Sequence, residues 1–514
     1  MNPISLKNPP INKNLVSGKI LARNTILNFI GQVIPLLVGV ITIPFIIRGL
    51  GIERFGLLSL AWVVLGYFTI FDLGLGRATT KYVAEMLGKG EEDQVSHLVW
   101  TAVTVQAILG VVGALVLFGI TPLLVKHILN IPPELVGEAK DTFYLLTLSI
   151  PIVLISGSFR GALEAAQRFE LINAVKCPAS TLTFLLPLVG LLLGFHLPGI
   201  VALILVVRFG VLLTFFVMNL RIFPRSRKYS GFFARLFAYG KWVTITSIVG
   251  PVLVYLDRFM IGSILSMAAI AYYSVPYEAV TRLWIIPASL TTTLFPAFSA
   301  LEGAKDRQRL GYLFARSLKY VLLVLGAVVL VIGLFAKEIL QIWLGADFAI
   351  KSTLVLQILA FGVLINSLAH IPSALLRGVG RPDLPAKFHL LELPLYIGVV
   401  WFLISQWGIA GAAVAWTLRI ALDALLLFGA TFKVYRISPR LLASNGTMLA
   451  CFALVVLAGM SYGLKTLTGT FPLLAQSLLV LGLLALFAVF AWKNILDNSE
   501  RGALLKVVKL WKSP

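Results

Sequence analysis

Long apolar segments alternate with short polar connections along almost the whole chain. A transmembrane helix needs about 20 mostly apolar residues, and fourteen segments meet that requirement. They cover residues 24–47, 55–76, 96–119, 141–160, 169–194, 198–220, 240–262, 268–298, 312–336, 350–376, 386–405, 408–431, 443–464 and 471–492. The pattern predicts an all-α polytopic membrane protein of about 14 transmembrane helices, with no large soluble domain. Prolines inside several segments predict kinks.

The composition agrees with this class. Of the 514 residues, 59% are hydrophobic and 13% are charged, whereas a soluble domain is about 25% charged. The net charge of +21 would suggest nucleic-acid binding in a soluble protein. In a polytopic chain, basic residues instead collect on cytoplasmic connections, so no nucleic-acid partner is expected. Cys177 and Cys451 predict neither a disulfide framework nor a metal cluster.

Basic residues are distributed unevenly between the two sides of the predicted membrane domain. The two ends of the chain and the even-numbered connections hold most of them. The odd-numbered connections hold only seven, namely Arg48, Arg54, Lys126, Lys140, Lys337, Lys351 and Lys465. This bias places both termini in the cytoplasm. The richest basic stretch, residues 221–241, is either a topology signal or a contact for anionic lipid.

Short matches indicate an internal repeat. Arg160-Gly161 follows segment four, and Arg377-Gly378 follows segment ten, 217 residues later. Glu85 and Glu302 have the same separation. Parallel repeats of six helices occur in transporters, where the substrate path runs between the halves. The predicted parts are therefore a cytoplasmic N-terminal segment 1–23, an N-lobe 24–220, a basic linker 221–239, a C-lobe 240–440, two extra helices within 441–492 and a basic cytoplasmic tail 493–514.

Charges inside the apolar segments point to function, because a charge at the bilayer centre costs about 3 kcal/mol. Arg208 and Arg419 lie near the middle of segments six and twelve, which the repeat makes equivalent. Two arginines facing a cleft would suit a diphosphate, since guanidinium binds phosphate oxygens bidentately. The alternative is that Arg419 pairs with Asp423, and Arg282 with Glu278, only to make burial tolerable.

Asp257 and Arg258 are adjacent, and their side chains leave a helix about 100° apart. Separate partners are therefore expected for them. Because they lie near the outer end of segment seven, Arg258 is expected to reach the outer interface and Asp257 to act at an outer gate.

A second group of basic residues lies near cytoplasmic helix ends. These residues either line an inner vestibule for a lipid head group or extend to the interface without a specific role. They are Arg77, Lys81, Arg160, Arg168, Lys176, Lys319, Arg377 and Lys387. The acids that are candidates for coupling or gating are Asp72, Asp257, Glu278, Glu392 and Asp423. Asp72 could equally just neutralise Arg77.

The sequence holds no G-x-x-x-x-G-K-[ST] phosphate loop and no H-E-x-x-H motif, so neither ATP hydrolysis nor a metal cofactor is expected. Its five histidines are scattered. Transport energy is therefore expected from a proton or sodium gradient.

Several motifs together carry a family resemblance. They are Gly51-Ile52-Glu53-Arg54-Phe55-Gly56-Leu57, Phe71-Asp72-Leu73-Gly74, Leu256-Asp257-Arg258 with Ile261-Gly262, Ala271-Tyr272-Tyr273-Ser274 and the Arg377-Gly378 loop. In their order the chain resembles the oligosaccharide flippases of the polysaccharide-biosynthesis family. The larger superfamily also contains multidrug-and-toxin extruders and the lipid II flippase. The resemblance implies two six-helix lobes plus two extra helices.

The resemblance also implies a function, namely export of polyprenyl-diphosphate-linked oligosaccharide across the bacterial inner membrane by alternating access, for O-antigen-type surface polysaccharides. The implied partners are that lipid-linked substrate, membrane lipids, a polysaccharide polymerase and glycosyltransferases. Two alternatives remain open. One is a multidrug or metabolite extruder of the same fold. The other is a membrane-embedded polymerase or glycosyltransferase, which would need a long outer loop with catalytic acids.

Overall fold

The computed structural model describes residues 18–67, 92–166, 168–223, 241–303, 306–435, 446–498 and 500–502. It also describes residues 75, 76, 79, 80, 82, 83 and 86. In these parts of the chain there are fifteen α-helices and no strand. The predicted all-α class is confirmed.

The chain divides into two compact units, Met1–Ser274 and Val275–Pro514. The boundary falls inside a helix rather than in the basic stretch 221–239, so the predicted lobe boundaries stay a prediction. The stretch from residue 241 to 274 belongs to the first unit, where helix Lys241–Ile264 packs on helix Ile52–Tyr67. One close contact places Gly56, in the Arg54-Phe55-Gly56 motif, against the backbone of Met267, where a Cβ would overlap the carbonyl.

The helices of the first unit are α1 (Gly18–Leu50), α2 (Ile52–Tyr67), α3 (Glu92–Leu123), α4 (Val136–Ala165), α5 (Phe169–Leu192), α6 (Leu197–Ile222), α7 (Lys241–Ile264) and most of α8 (Met267–Thr281). Within this unit α4 packs against both α3 and α6, and α1 packs against α5. The core between α3, α4 and α6 is aromatic, with the Trp100 and Phe159 rings 5.7 Å apart. The indole of Trp100 also donates to the Phe223 carbonyl at 3.3 Å.

The second unit contains α9 (Ile285–Gly303), α10 (Arg307–Leu334), α11 (Ala336–Leu344), α12 (Ala346–Gly378), α13 (Asp383–Tyr435), α14 (Thr447–Leu467) and α15 (Leu473–Phe490). Helix α12 is its centre and packs against α9, α10, α11 and α13. Rings of Phe314, Phe428 and Phe432 fill the core between α10 and α13.

Ten helical stretches among the described residues are long and apolar enough to cross a membrane. One of them, α13, is 53 residues long and holds two predicted segments, 386–405 and 408–431. Large apolar side chains cover the outer surfaces of these helices; Leu192 is 81% exposed and Leu467 is 84% exposed. Such surfaces are stable in lipid and not in water. The chain is a multi-pass membrane protein, while the exact number of 14 helices stays a prediction.

Helix α13 is broken at Gly408, where φ is 57° and ψ is −136°. Left-handed backbone of this kind favours glycine, which has no Cβ to clash. Pro394, a predicted kink, lies within the helix, and the break occurs fourteen residues later. The two arms of α13 then pack so closely that a Cβ on Gly411 would overlap the Leu403 carbonyl.

Gly411→Ala is therefore expected to lower the free energy of unfolding by about 1–3 kcal/mol, the usual cost of overpacking. Gly398→Ala is the matched control on the same helix, because nothing lies within 4 Å of its added Cβ. Unfolding in detergent, followed by tryptophan fluorescence, measures both. Equal stability of the two variants would contradict the close packing of the arms.

A buried polar cluster fixes the segment after α15 to α10. Lys319 and Glu500 form an ion pair of 2.7 Å, with side chains only 1% and 0% exposed. Arg316 lies 3.1 Å from the other carboxylate oxygen of Glu500. Tyr312 donates to Asp497 at 2.7 Å. We call these five residues the C-terminal clasp.

Asp497 and Glu500 also hold each other in place. Each carboxylate accepts a hydrogen bond of 2.8 Å from the other residue's backbone N–H, which is a capping box. The expectation that Lys319 lines a vestibule or extends to the interface is wrong, because its ammonium group is buried against Glu500.

Candidate functional site

Four charged or titratable side chains meet inside the second unit. His389 and Glu392 are three residues apart on the first arm of α13, and Arg419 and Asp423 are four apart on the second arm. Each spacing places its pair on one helix face. The break at Gly408 brings the two faces together, and we call these four residues the His389 cluster.

Two polar contacts within the His389 cluster run between the arms. Arg419 Nη1 lies 3.4 Å from Glu392 Oε2, and His389 Nε2 lies 3.9 Å from Asp423 Oδ1. Glu392 is completely buried, and the side chains of Arg419 and Asp423 are each 9% exposed. Potential ligand atoms of His389, Glu392 and Asp423 all lie within 4.8 Å of one another.

Three of these four residues were predicted site residues, but their pairing was not. The alternative that Arg419 pairs with Asp423, four residues along the helix, is wrong, because Arg419 turns to Glu392 across the hairpin. Sequence reasoning does not select His389, because the five histidines are scattered along the chain. Its three-residue spacing places it on one helix face with Glu392, but only the packing of the two arms brings that face to Arg419 and Asp423.

One aromatic ring contacts the cluster, and three more pack together at Trp416 on the second arm. The Arg419 guanidinium lies 5.5 Å from the ring centroid of Tyr396, within cation–π range. Trp416, one turn before Arg419, is fully buried and packs edge-on against Tyr277 at 5.4 Å. Trp284 lies 6.4 Å from Trp416 and 6.5 Å from Tyr277, so the three rings contact one another. The second unit therefore contains a buried charged cluster with an aromatic ring on its arginine, and a group of three packed rings at Trp416, on the same arm of α13.

Glu278 and Arg282 form the pair that their four-residue spacing predicts. The distance from Arg282 Nη2 to Glu278 Oε2 is 3.1 Å. Both side chains are nearly half exposed, at 46% and 43%, at the surface of the second unit. A 3₁₀ turn, Arg282–Trp284, begins at this arginine and separates α8 from α9.

The adjacent pair Asp257 and Arg258 is fully buried in the first unit, and two expectations about it are wrong. The residues do not need separate partners, because Arg258 Nη1 curls back to 3.2 Å from Asp257 Oδ1. Arg258 does not reach an outer interface either, since its side chain is 0% exposed. Tyr273 donates to Asp257 Oδ2 at 2.5 Å, and Arg258 also donates to the Val254 carbonyl at 2.8 Å.

Arg208 differs from its predicted counterpart Arg419. It is half-buried on α6, and within the part of the chain that the structure describes its Nε has no hydrogen-bond partner. No acid of the described residues forms an ion pair with it. Among the described residues Arg208 therefore has no carboxylate partner, whereas Arg419 has one.

Apart from the buried Lys319, the predicted helix-end cations that the structure describes have exposed or half-exposed side chains, and most are paired locally. Salt bridges join Arg160 to Glu164 at 3.4 Å, Arg168 to Glu170 at 2.6 Å and Lys387 to Asp383 at 3.0 Å. Arg377 donates to the Ser373 carbonyl at 3.2 Å, and Lys176 lies in electrostatic range of Arg160. In the connection before α13, the hydrogen bond to Asp383 raises the pKa of Arg381. Asp72, Arg77 and Lys81 lie outside the described residues.

Comparison with known families gives two matches. The model of the family described as "Polysaccharide biosynthesis protein" matches residues 21–302, more than half of the chain. The MatE family model matches residues 243–402, which include the first arm of α13.

Individual relatives extend this match. A Shigella flexneri protein named "Putative O-antigen transporter" is 30% identical over 413 residues, covering 79% of this chain and 96% of that protein. A Haloferax volcanii protein named "Probable flippase AglR" is 21% identical over 446 residues, covering 85% of this chain and 88% of the relative.

Among solved structures, the lipid II flippase MurJ in an inward closed conformation has the same fold. The TM-score is 0.72 at 13% identity, over 93% of this chain and all of that one. At this identity the likeness concerns the fold alone. The family-model match and the full-length relative establish more than that: this chain belongs to the polysaccharide biosynthesis protein family, the group of oligosaccharide flippases and transporters that its motifs resemble.

Proposed function

We propose that this chain is a flippase that moves polyprenyl-diphosphate-linked oligosaccharide across the membrane during cell-surface polysaccharide assembly. The observation that carries the proposal is the match to nearly the whole length of a relative named as an O-antigen transporter. The Haloferax volcanii relative named as a flippase supports it.

The chemistry of the chain suits such a cargo. A lipid-linked diphosphate carries negative charge that must cross a low-dielectric region, and cations inside the protein lower that cost. Arg208 in the first unit and Arg419 in the second are the mid-segment arginines proposed to contact the phosphates in passage. Arginine suits this task because it remains charged at any physiological pH and binds oxygens bidentately.

Alternating access in the bacterial cytoplasmic membrane, with both termini in the cytoplasm, forms part of the proposal. The distribution of basic residues supports that orientation. Glycosyltransferases would supply the cargo on the cytoplasmic side, and a polymerase would consume it outside. We propose a proton or sodium gradient as the energy source, because the sequence contains no nucleotide-binding loop.

One observation favours a second candidate, export of organic cations. The His389 cluster contains two buried carboxyl groups and has the Tyr396 ring against its arginine, and acids with aromatic rings are typical of sites for cationic ligands. The MatE model matches residues 243–402, which include His389 and Glu392 of this cluster, and agrees with it. Against it, Arg419 occupies the same cluster and would repel a cation.

Deletion of the gene in its native host separates the two candidates. We expect loss of surface polysaccharide, accumulation of lipid-linked oligosaccharide on the cytoplasmic side and unchanged susceptibility to cationic drugs. Restoring the chain from a plasmid should reverse the first two effects. Normal polysaccharide together with drug hypersensitivity would contradict the flippase and favour the extruder.

A further inference from the structure

The His389 cluster contains more ligand atoms than its internal contacts use. Glu392 Oε1, Asp423 Oδ1 and His389 Nδ1 are buried and have no hydrogen-bond partner among the described residues. Glu392 is 0% exposed, so its free oxygen cannot be satisfied by bulk water. Leaving a buried acceptor unsatisfied is costly, which indicates that this place receives another group.

The charge of the cluster indicates that this group is positive. Two carboxyl groups, those of Glu392 and Asp423, face one permanent cation, the guanidinium of Arg419, and carboxyl groups this close in a buried site do not both ionise unless a further positive charge lies between them. An uncompensated charge in an apolar interior is strongly unfavourable. A cation bound between the carboxylates would compensate it.

We propose that His389, Glu392 and Asp423 form a site for a divalent transition-metal ion of the zinc class. Imidazole nitrogen with carboxylate oxygen suits zinc, nickel, cobalt and iron, whereas sodium, magnesium and calcium prefer oxygen ligands alone. Three protein ligands with a fourth open position are typical of accessible zinc sites. The ligand atoms lie within 4.8 Å of one another, so side-chain rotations can bring them onto one ion.

The backbone supports the three ligands firmly. His389 and Glu392 share one face of the first arm of α13, and Asp423 comes from the arm packed against it. The His389 side chain is 30% exposed, which gives an ion a route to the otherwise buried carboxylates. The site does not depend on the transport proposal, because it follows from the contacts of the second unit alone.

Arg419 is the internal competitor for this ion. Its Nη1 lies 3.4 Å from Glu392 Oε2, where a metal would need that carboxylate. The Tyr396 ring, 5.5 Å from the guanidinium, can hold Arg419 by a cation–π contact when the metal takes its carboxylate partner. Removing Arg419 should therefore strengthen metal binding, and a site made of unrelated surface groups would not respond in this way.

Calorimetric titration of the purified, metal-stripped full chain with Zn²⁺ tests the proposal. We expect one ion per chain, with affinity lowered at least about tenfold in His389→Ala and in Asp423→Asn. His370→Ala, which removes a histidine outside the cluster, should bind as the wild type does. Arg419→Gln should bind more tightly. Each variant is first checked for an unchanged elution profile and melting temperature.

Binding of Co²⁺ gives a second readout that is independent of transport activity. Its visible absorption should show ligation by nitrogen and oxygen in the wild type and lose that signature in His389→Ala. Absence of stoichiometric binding, equal affinity in wild type and His389→Ala, or equally tight binding of Ca²⁺ would overturn the assignment. Since none of these readouts involves oligosaccharide, their outcome does not decide whether the flippase proposal is correct.

Discussion

Neutralising Arg208 and Arg419 together, as Arg208→Gln with Arg419→Gln, is expected to abolish surface-polysaccharide assembly. A hydrogen bond to a charged partner contributes about 1.5–3 kcal/mol, and two lost guanidinium contacts correspond to a fall of at least about a hundredfold in transport. Each single variant should retain partial activity. Lysine at both positions should restore part of the transport, because charge returns without the bidentate geometry.

Two controls separate loss of function from loss of folding. Lys126→Gln with Lys351→Gln removes the same amount of charge from exposed positions and should leave transport unchanged. Arg419→Gln alone leaves the buried Glu392 without its partner, so adding Glu392→Gln tests whether folding suffers from that carboxylate. Full polysaccharide assembly with both arginines neutralised would eliminate their proposed role in carrying the diphosphate.

Glu500→Ala is expected to lower the free energy of unfolding by about 3–5 kcal/mol, the cost of breaking a buried ion pair from one side. The substitution leaves the Lys319 ammonium, only 1% exposed, without its carboxylate and also removes the partner of Arg316. Chemical unfolding in detergent, compared with the wild type, measures the effect.

The matched control is Asp347→Ala, which breaks an exposed pair with Lys351 and should cost at most about 1 kcal/mol. Replacing both buried partners, as Lys319→Met with Glu500→Leu, should recover most of the stability, because neither buried charge is then left alone. Similar losses in Glu500→Ala and Asp347→Ala would show that the C-terminal clasp does not stabilise the second unit.

Hydropathy was sufficient to predict the fold class, because a membrane helix must satisfy its backbone internally and cover itself with apolar side chains. The same pattern placed the end of one segment at residue 405 and the start of the next at 408, which brackets the observed break at Gly408. The function followed from motifs such as Arg54-Phe55-Gly56 and their order. Gly56 has a local physical reason, since a side chain there would strike the backbone of Met267.

The interaction partners of charged side chains were harder to predict than the helices themselves. Spacing along one helix correctly paired Glu278 with Arg282, where both residues are exposed and the helix alone decides. It failed for Arg419, whose partner Glu392 is 27 residues away, and it offered no partner for Lys319, which pairs with Glu500 181 residues away. In both cases burial made a distant partner preferable, and the packing that decides it is not encoded in local periodicity.

Transfer of lipid-linked oligosaccharide between leaflets, measured in proteoliposomes that contain only the purified chain, tests the central claim most directly. A membrane-impermeant enzyme that cleaves the exposed sugars reports which leaflet holds them. With the chain present, we expect inner-leaflet oligosaccharide to become accessible, and faster under an imposed proton or sodium gradient. If accessibility rises no faster than in protein-free liposomes, with or without a gradient, the chain is not a flippase for this cargo.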